Sequence, residues 1–305
     1  MPHFLMTNDV ECFSFEHNRY EPSVARRVLE QGLPRLLDLY DKHDVNATFF
    51  FTGDIVELEP EVVDIVKARG RHEIGCHGHK HDSENAFDVL SLEEQIAALH
   101  SAKKTIEKAS NSPIISFRAP AARINRDTIV ALEKTGFLVD SSVCSQRFDG
   151  PMTLGAKNKV RWLFAPRLPY HPSREDHLSR GDSPILEIPV SAFLLGFSGT
   201  TMRSMTPLNR MLQGYLTWES KRTGKPLVFI IHPNETTDLD VNSIQHFQRG
   251  RTFIQKVFAD KIRHGIKLSN LGEKTITLLD DVIRTARNNE IRFISCKDYL
   301  KTFKG

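Results

Sequence analysis

The chain of 305 residues has no long apolar run. Its most hydrophobic stretches, such as Ala47-Thr48-Phe49-Phe50-Phe51, fall far short of the roughly 20 residues that a membrane-spanning helix needs. Cysteine is scarce. Cys12, Cys76, Cys144 and Cys296 lie far apart with no paired spacing, which argues against a disulfide framework and against a thiolate zinc site. The opening Met1-Pro2-His3-Phe4-Leu5-Met6 lacks the basic region, apolar stretch and small-residue cleavage site of a secretory signal, so a soluble cytoplasmic protein is expected. An excess of one charge is also missing. The formal net charge is +3, basic residues are spread along the chain, and no basic-aromatic module or recognition helix occurs, so no nucleic-acid partner is expected. Without a Gly/Ser linker, a low-complexity segment or a fixed-period repeat, residues 1–305 read as a single domain.

What the sequence does contain is alternation. Hydrophobic residues make up 40% and charged residues 26%, enough for a substantial core. Short apolar runs at 3–8, 47–51, 73–76, 114–117, 137–140, 185–190 and 227–231 read as strands, with a last extended segment at 291–295. Between them lie helical patterns. Residues 23–40 carry Val24, Val28, Leu29, Leu33, Leu36, Leu37 and Tyr40 at helical spacing, with Pro34 as a kink point. A short helix has Pro60 in its first turn. Residues 92–109 follow Ser91 with Glu94 as a capping box, and 126–134 form the next helix. Such repeats predict α/β architecture: one distorted, TIM-barrel-like (β/α) barrel of about seven parallel strands, with an open doubly wound sheet as the second choice. In such barrels the reactive residues sit at the carboxyl ends of the strands.

Those ends are where the polar candidates fall. The third strand runs into Cys76-His77-Gly78-His79-Lys80-His81. Imidazole is the commonest protein ligand for zinc and related ions. His77 and His81 converge if the chain turns after the strand, whereas His77 and His79 share a face if the strand continues; Gly78 favours the turn. The first strand ends in Asp9-Val10-Glu11, two carboxylates of which one can bind metal and the other can accept a proton from water. Arg118, in Arg118-Ala119-Pro120, is placed to hold a carboxylate in bidentate fashion. Asp140 closes the fifth strand. His232, leaving a buried strand into Pro233-Asn234-Glu235, is placed as a general acid for a departing amine. The long connection 143–183 should lie over the barrel mouth. Its basic residues Lys157, Lys159, Arg161, Arg167, Arg174 and Arg180, diluted by Glu175, Asp176 and Asp182, read first as a solvated loop and second as a contact for an anionic substrate; Trp162, Tyr170 and the arginines could hold a sugar carrying phosphate or carboxylate, with a purely structural excursion as the alternative.

In order along the chain, these segments resemble the motifs of the polysaccharide deacetylase family, the group with NodB-type homology. Thr7-Asn8-Asp9-Val10-Glu11 is similar to its first motif in an Asp-Val-Glu form, and His77 and His81 to its metal-binding pair. Arg118-Ala119-Pro120, Asp140-Ser141-Ser142 and His232-Pro233 resemble the remaining three. The resemblance implies one divalent ion, with zinc as the default and cobalt, nickel or iron suited to the same ligands, held by Glu11, His77 and His81. It also implies Asp9 as base, Arg118 orienting it, His232 as acid, and Asp140 holding or tuning one of these groups. The implied activity is removal of an N-acetyl group from an amino sugar in a cytoplasmic nucleotide-linked or lipid-linked glycan precursor. Hydrolysis of a cyclic amide such as allantoin and silent sugar binding are the rival readings. Gly78, Ala121 and Ile231 depart from the usual family residues and point to a divergent branch.

Overall fold

From Phe4 onward every residue of β1 (His3–Val10) is buried, as expected for a central parallel strand covered on both faces. The structure is a computed structural model describing residues 1–17, 19–82, 84–148, 157–239 and 263–303. The remaining strands of the main sheet are β2 (Ala47–Phe51), β3 (Glu73–Cys76), β4 (Ser116–Phe117), β5 (Val139–Asp140), β6 (Leu186–Glu187), β7 (Leu227–Ile231) and β8 (Arg292–Phe293). All their pairings are parallel, in the order β7-β1-β2-β3-β4-β5-β6. β8 pairs with His3 and Phe4, below the point where β2 joins β1 at Met6. The sheet curls into a distorted (β/α) barrel whose seven-strand path matches the expected count. Between β6 and β7 the wall is completed irregularly: the Ser191 N–H donates to the Val228 carbonyl (3.1 Å), and the Ile230 N–H to that of Phe197 (3.3 Å).

Strands β4, β5 and β6 are shorter than their apolar runs. Pro184 and Pro189 bracket β6, and Pro113 and Pro120 flank β4; none of them can donate to a ladder. The helices follow the expected order with one rearrangement. Residues 23–40 do not make one regular helix. α1 (Val24–Arg27) and α2 (Leu33–Lys42) are joined by a π turn, Val28–Gly32. The Pro34 ring would clash with the Glu30 carbonyl one α-turn earlier, and the wider turn relieves that clash. Next come α3 (Gly53–Leu58), α4 (Glu61–Lys67, with Pro60 at its N-cap), α5 (Leu92–Ser110) and α6 (Arg126–Lys134). The Ser91–Glu94 capping box is present at the start of α5. They are followed by α7 (Gly199–Ser204), α8 (Thr206–Thr223), α9 (Arg263–Leu268), α10 (Glu273–Asn288) and α11 (Cys296–Thr302).

The connection 143–183 corrects an expectation. Trp162 and Tyr170 are buried in packing, and the Tyr170 hydroxyl donates to the His177 carbonyl (2.7 Å); neither faces the barrel mouth. Most of its arginines are committed elsewhere: Arg161 to Asp176, Arg167 to Glu219, and Arg174 to Glu133 and Asp182, while Arg180 lies over the Tyr170 ring. Burial of the aromatic rings accounts for the difference, because apolar area removed from water outweighs what an exposed platform would gain. The side chains of Lys157 and Lys159 lie outside the described residues.

One close approach ties the first helical segment to the barrel mouth. A Cβ added at Gly32 would lie 2.5 Å from the Pro233 carbonyl oxygen. Gly32→Ala should therefore destabilise the protein by about 1–3 kcal/mol, read as a lower urea midpoint with an unchanged slope.

Candidate active site

The two-residue period of a strand places Thr7 and Asp9 on one face of β1, turned into the barrel, and Glu11 follows directly after its last residue. Asn8 takes the other face, where it accepts a hydrogen bond from Tyr40 (2.7 Å). At the neighbouring strand ends, β3 delivers His77, β4 delivers Arg118, β5 delivers Ser141 and β7 delivers His232. These side chains meet around a cavity of about 310 Å³, lined on its chemical side by Asp9, His77, His81, Arg118, Ser141 and His232. From the connection 143–183 only Cys144 and Arg147 reach it, among the described residues.

The histidine loop settles which pair converges. After β3 the His77 N–H still donates to Phe51 (2.7 Å), and then Gly78 turns the chain at φ +73. A side chain there would be strained and would crowd Phe87 and Pro120. The Gly78 and His79 carbonyls accept from the first N–H groups of α3, at Gly53 (3.0 Å) and Asp54 (2.9 Å), which clamps the turn. His79 is thereby sent outward toward Glu57, and His81 is brought back to the mouth. Glu11, His77 and His81 each offer a ligand atom within 4.8 Å of the others; they are the one such group of His, Cys, Asp and Glu among the described residues. His77 Nε2 lies 3.3 Å from Glu11 Oε2, and His81 Nδ1 contacts the same oxygen. His77 Nδ1 is 2.8 Å from the Arg118 carbonyl, which can only accept, so that nitrogen carries the proton and Nε2 is left with a lone pair for an ion. Burial opposes ionisation of Glu11, but His81 and His77 hold its carboxyl well below the ordinary carboxylate range. Two imidazoles and a carboxylate held in this way fit a divalent transition metal.

Arg118 is fully buried and distributes its donors rather than spending them on one acid. Nη1 donates to Asp9 Oδ1 (2.9 Å) and Thr7 Oγ1 (2.7 Å), Nε to the Ser141 carbonyl (2.9 Å), and Nη2 to Ser141 Oγ (2.9 Å). The bidentate grip expected on a carboxylate is absent because a buried guanidinium must satisfy every N–H, and a single acid leaves donors unmet. Asp9 keeps Oδ2 toward the cavity, 3.9 Å from His77 Nε2 and 4.0 Å from His232 Nε2.

His232 is held from behind. Its Nδ1 lies 2.9 Å from Glu235 Oε1, and Glu235 Oε2 accepts from Arg203 Nε (2.6 Å). Burial alone would lower the pKa of His232; the hydrogen bond to Glu235 and the charges of Glu11, Glu235 and Asp9 outweigh it and push the value up to about 9. Burial would raise that of Glu235, but Arg203 and His232 bring it to about 2. Neither Glu235 nor Arg203 had been assigned a role from sequence. The spacing of three between His232 and Glu235 was the available signal for the first. Nothing in the sequence links Arg203 to it. Phe13 stacks on His81 and Phe15 packs edge-on against His232, so the small hairpin Phe13–Ser14 with Arg19–Tyr20 walls the site.

Asp140 stands apart. It does not line the cavity, and it accepts a hydrogen bond from the Ser142 hydroxyl (2.5 Å). Burial pushes its carboxyl up to about 6, and burial with the charge of Asp140 raises that of Glu187 well above the usual range. Its influence on the site is indirect, through the Ser141–Ser142 segment that receives Arg118 and the Ala119 N–H.

Comparison with known proteins gives a consistent family. Residues 21–139 match the family model described as polysaccharide deacetylase. A peptidoglycan deacetylase of Helicobacter pylori is 31% identical over 119 residues, 39% of this chain and 39% of that protein. A peptidoglycan-N-acetylglucosamine deacetylase of Bacillus cereus is 33% identical over 104 residues, 34% of this chain and 46% of that one. The aligned part thus spans less than half the length of these curated relatives. Among solved structures, a candidate polysaccharide deacetylase from Mycobacterium smegmatis superposes with a TM-score of 0.60 at 16% identity, covering 99% of this chain and 91% of that one. Puue allantoinase superposes with a TM-score of 0.56 at 15% identity, covering 97% and 87%. At these identities the structural likeness is one of fold.

The geometry makes a direct prediction for metal binding. After reconstitution with zinc, His77→Ala and His81→Ala should each lower affinity at least about 100-fold, while His79→Ala should leave it unchanged. Elemental analysis of variants verified as folded by circular dichroism is the measurement.

Proposed function

We propose that the chain, similar to the polysaccharide deacetylase family over residues 21–139, is a metal-dependent hydrolase that removes an N-acetyl group from an amino sugar, in a cytoplasmic glycan precursor. The observation that carries this reading is the pairing of an acid held by Arg118, Asp9, with a histidine held by Glu235, His232, beside the Glu11, His77 and His81 cradle. Bound in that cradle, a divalent ion supplies Lewis acidity toward the acyl oxygen and toward water. Zinc is the default for this donor set, and cobalt, nickel and iron suit it too.

The other steps belong to the side chains. Asp9 takes a proton from the attacking water through Oδ2, because Arg118 occupies Oδ1 and stabilises the ionised form. His232 presents Nε2 to the leaving nitrogen, since Glu235 fixes Nδ1, and its raised pKa keeps a proton available at neutral pH. Glu11 serves as ligand rather than base, grouped with His77 and His81 while Asp9 is committed to Arg118.

Acetate release from N-acetylated amino sugars tests the reading; loss of activity on chelation and its return with added metal are expected. Asp9→Asn and His232→Gln should each lower kcat about 10²–10⁴-fold with little change in KM. Ring opening of a cyclic amide without acetate release would move the chain to the rival chemistry. The pH profile gives a further check. His232 must be protonated to act, so activity should fall as pH rises through about 9. Glu235→Gln removes one of the charges that raise this pKa and should shift that alkaline limb to lower pH.

A further inference from the structure

Helix α8 carries large apolar residues beyond its buried face. Leu212 and Leu216 pack inward, whereas Leu208, Met211, Tyr215 and Trp218, at three- and four-residue spacing, occupy the adjoining flank. Met211 is 71% exposed and Trp218 is 52% exposed. The stripe continues onto the antiparallel hairpin Ala192–Phe193 with Leu195–Gly196, where Phe193 packs on Tyr215 with ring centroids 4.8 Å apart, and both Phe193 and Leu194 are about half exposed. Isolated exposed apolar residues need no explanation, but a contiguous aromatic and aliphatic stripe does.

The charges around the stripe select its occupant. Lys221 borders it, with Nζ donating to Asn289 Oδ1 (3.0 Å), and Arg222 lies over the Trp218 ring (5.0 Å), whereas Arg210 is paired with Asp281 of α10 (3.0 Å). The sole acid of the helix, Glu219, is turned inward to Arg167 and Lys225. Beyond the paired Arg210, the outer face of α8 therefore carries the cations Lys221 and Arg222 and no anion of its own. Trp and Tyr bordered by Arg and Lys, on a helix lying along the protein surface, match the composition of an interfacial membrane helix. No helix among the described residues is long and apolar enough to cross a bilayer, so the contact would be a peripheral one.

We infer that the face formed by α8 and the Ala192–Gly196 hairpin docks on an anionic lipid bilayer, seating Trp218, Met211 and Phe193 among the headgroups. Leu195 and Gly196 of the same hairpin line the cavity, so the docked hairpin would be shared between lipid and cavity, and a glycan carried on a lipid anchor would be a suitable substrate. That last consequence rests on the deacetylase reading. The docking does not, and it is measured without turnover.

The test is sedimentation of the full chain with vesicles of phosphatidylcholine alone and of an equal mixture with phosphatidylglycerol. Binding to the mixed vesicles, weakened by salt, is expected. Lys221→Gln with Arg222→Gln should weaken it about thirtyfold. Phe193→Ser with Trp218→Ser should weaken it at least about tenfold. Acetate release from a soluble substrate should be unchanged in both variants, which separates failed docking from failed chemistry. Equal partition onto neutral and mixed vesicles, or sedimentation with neither, would overturn the inference. So would a concentration-dependent dimer in analytical ultracentrifugation that Phe193→Ser with Trp218→Ser abolishes, because a second copy would then cover this face.

Discussion

Arg118 is a guanidinium with no access to water, and the barrel mouth is organised around satisfying it. Removing such a charge from solvent costs several kcal/mol unless each donor finds an acceptor. Its acceptors come from β1, through Thr7 and Asp9, and from the segment after β5, through Ser141, while its plane lies over Phe50 of β2 at 4.6 Å. Three strands besides its own must hold their relative register for the charge to remain satisfied. The residue also acts at two atoms of the site at once. Its side chain fixes Asp9, and its backbone carbonyl fixes the tautomer of His77. Asp9 and His77 are thus positioned by one residue, which in the proposed mechanism couples the base to a ligand of the ion.

A second buried arginine does the corresponding work on the acid side. Arg203 holds Glu235, and Glu235 holds His232, so the charge acts one step further from the cavity. The difference matters chemically. In the proposed mechanism Asp9 accepts a proton and keeps one oxygen free for it, whereas both oxygens of Glu235 are engaged, by His232 and Arg203. Asp140, at the carboxyl end of β5, belongs to neither chain of contacts. It accepts from Ser142, and Glu187 accepts from the Val143 N–H (3.0 Å), so the two acids hold the segment that follows Ser141, and an alteration there would reach Asp9 by way of Arg118.

Much of this was legible in the sequence because a parallel barrel writes its site at fixed places. Apolar runs mark the strands, and the first polar residues after each run are the ones projected into the mouth. His77, Arg118 and His232 are each the residue immediately after such a run, and Asp9 and Glu11 lie two apart at the end of the first strand. The choice of His81 over His79 was also readable, since Gly78 alone in that stretch tolerates the positive φ of the turn. Residues whose partners come from a remote element were not readable. Arg203 lies 32 positions before Glu235 on a different helix. Trp162 and Tyr170 misled for a related reason, because an aromatic residue in a long connection has the same local sequence whether it packs inward or faces a ligand. The outer stripe of α8 is hidden by the inner one, since an adjoining apolar flank blurs the single periodicity by which a helix is recognised.

The two walls of the cavity answer to different constraints. One wall is made of the strand ends that carry Asp9, His77, Arg118 and His232, on the parallel ladder of the sheet. The other runs from Val190 through the hairpin to Met205, with Ile266 and Lys267 beyond, and is built from short turns and helix ends. The matched family segment, residues 21–139, contains His77, His81 and Arg118 but none of this second wall, and it also leaves out Asp9, Glu11 and His232. The cavity is thus assembled from a segment shared with the family and from segments beyond it at both ends of the chain. A hairpin that contributes Leu195 and Gly196 to the cavity and Phe193 and Leu194 to the outer surface joins cavity and surface physically: whatever covers the outer face also sets the position of the wall against which the substrate must fit.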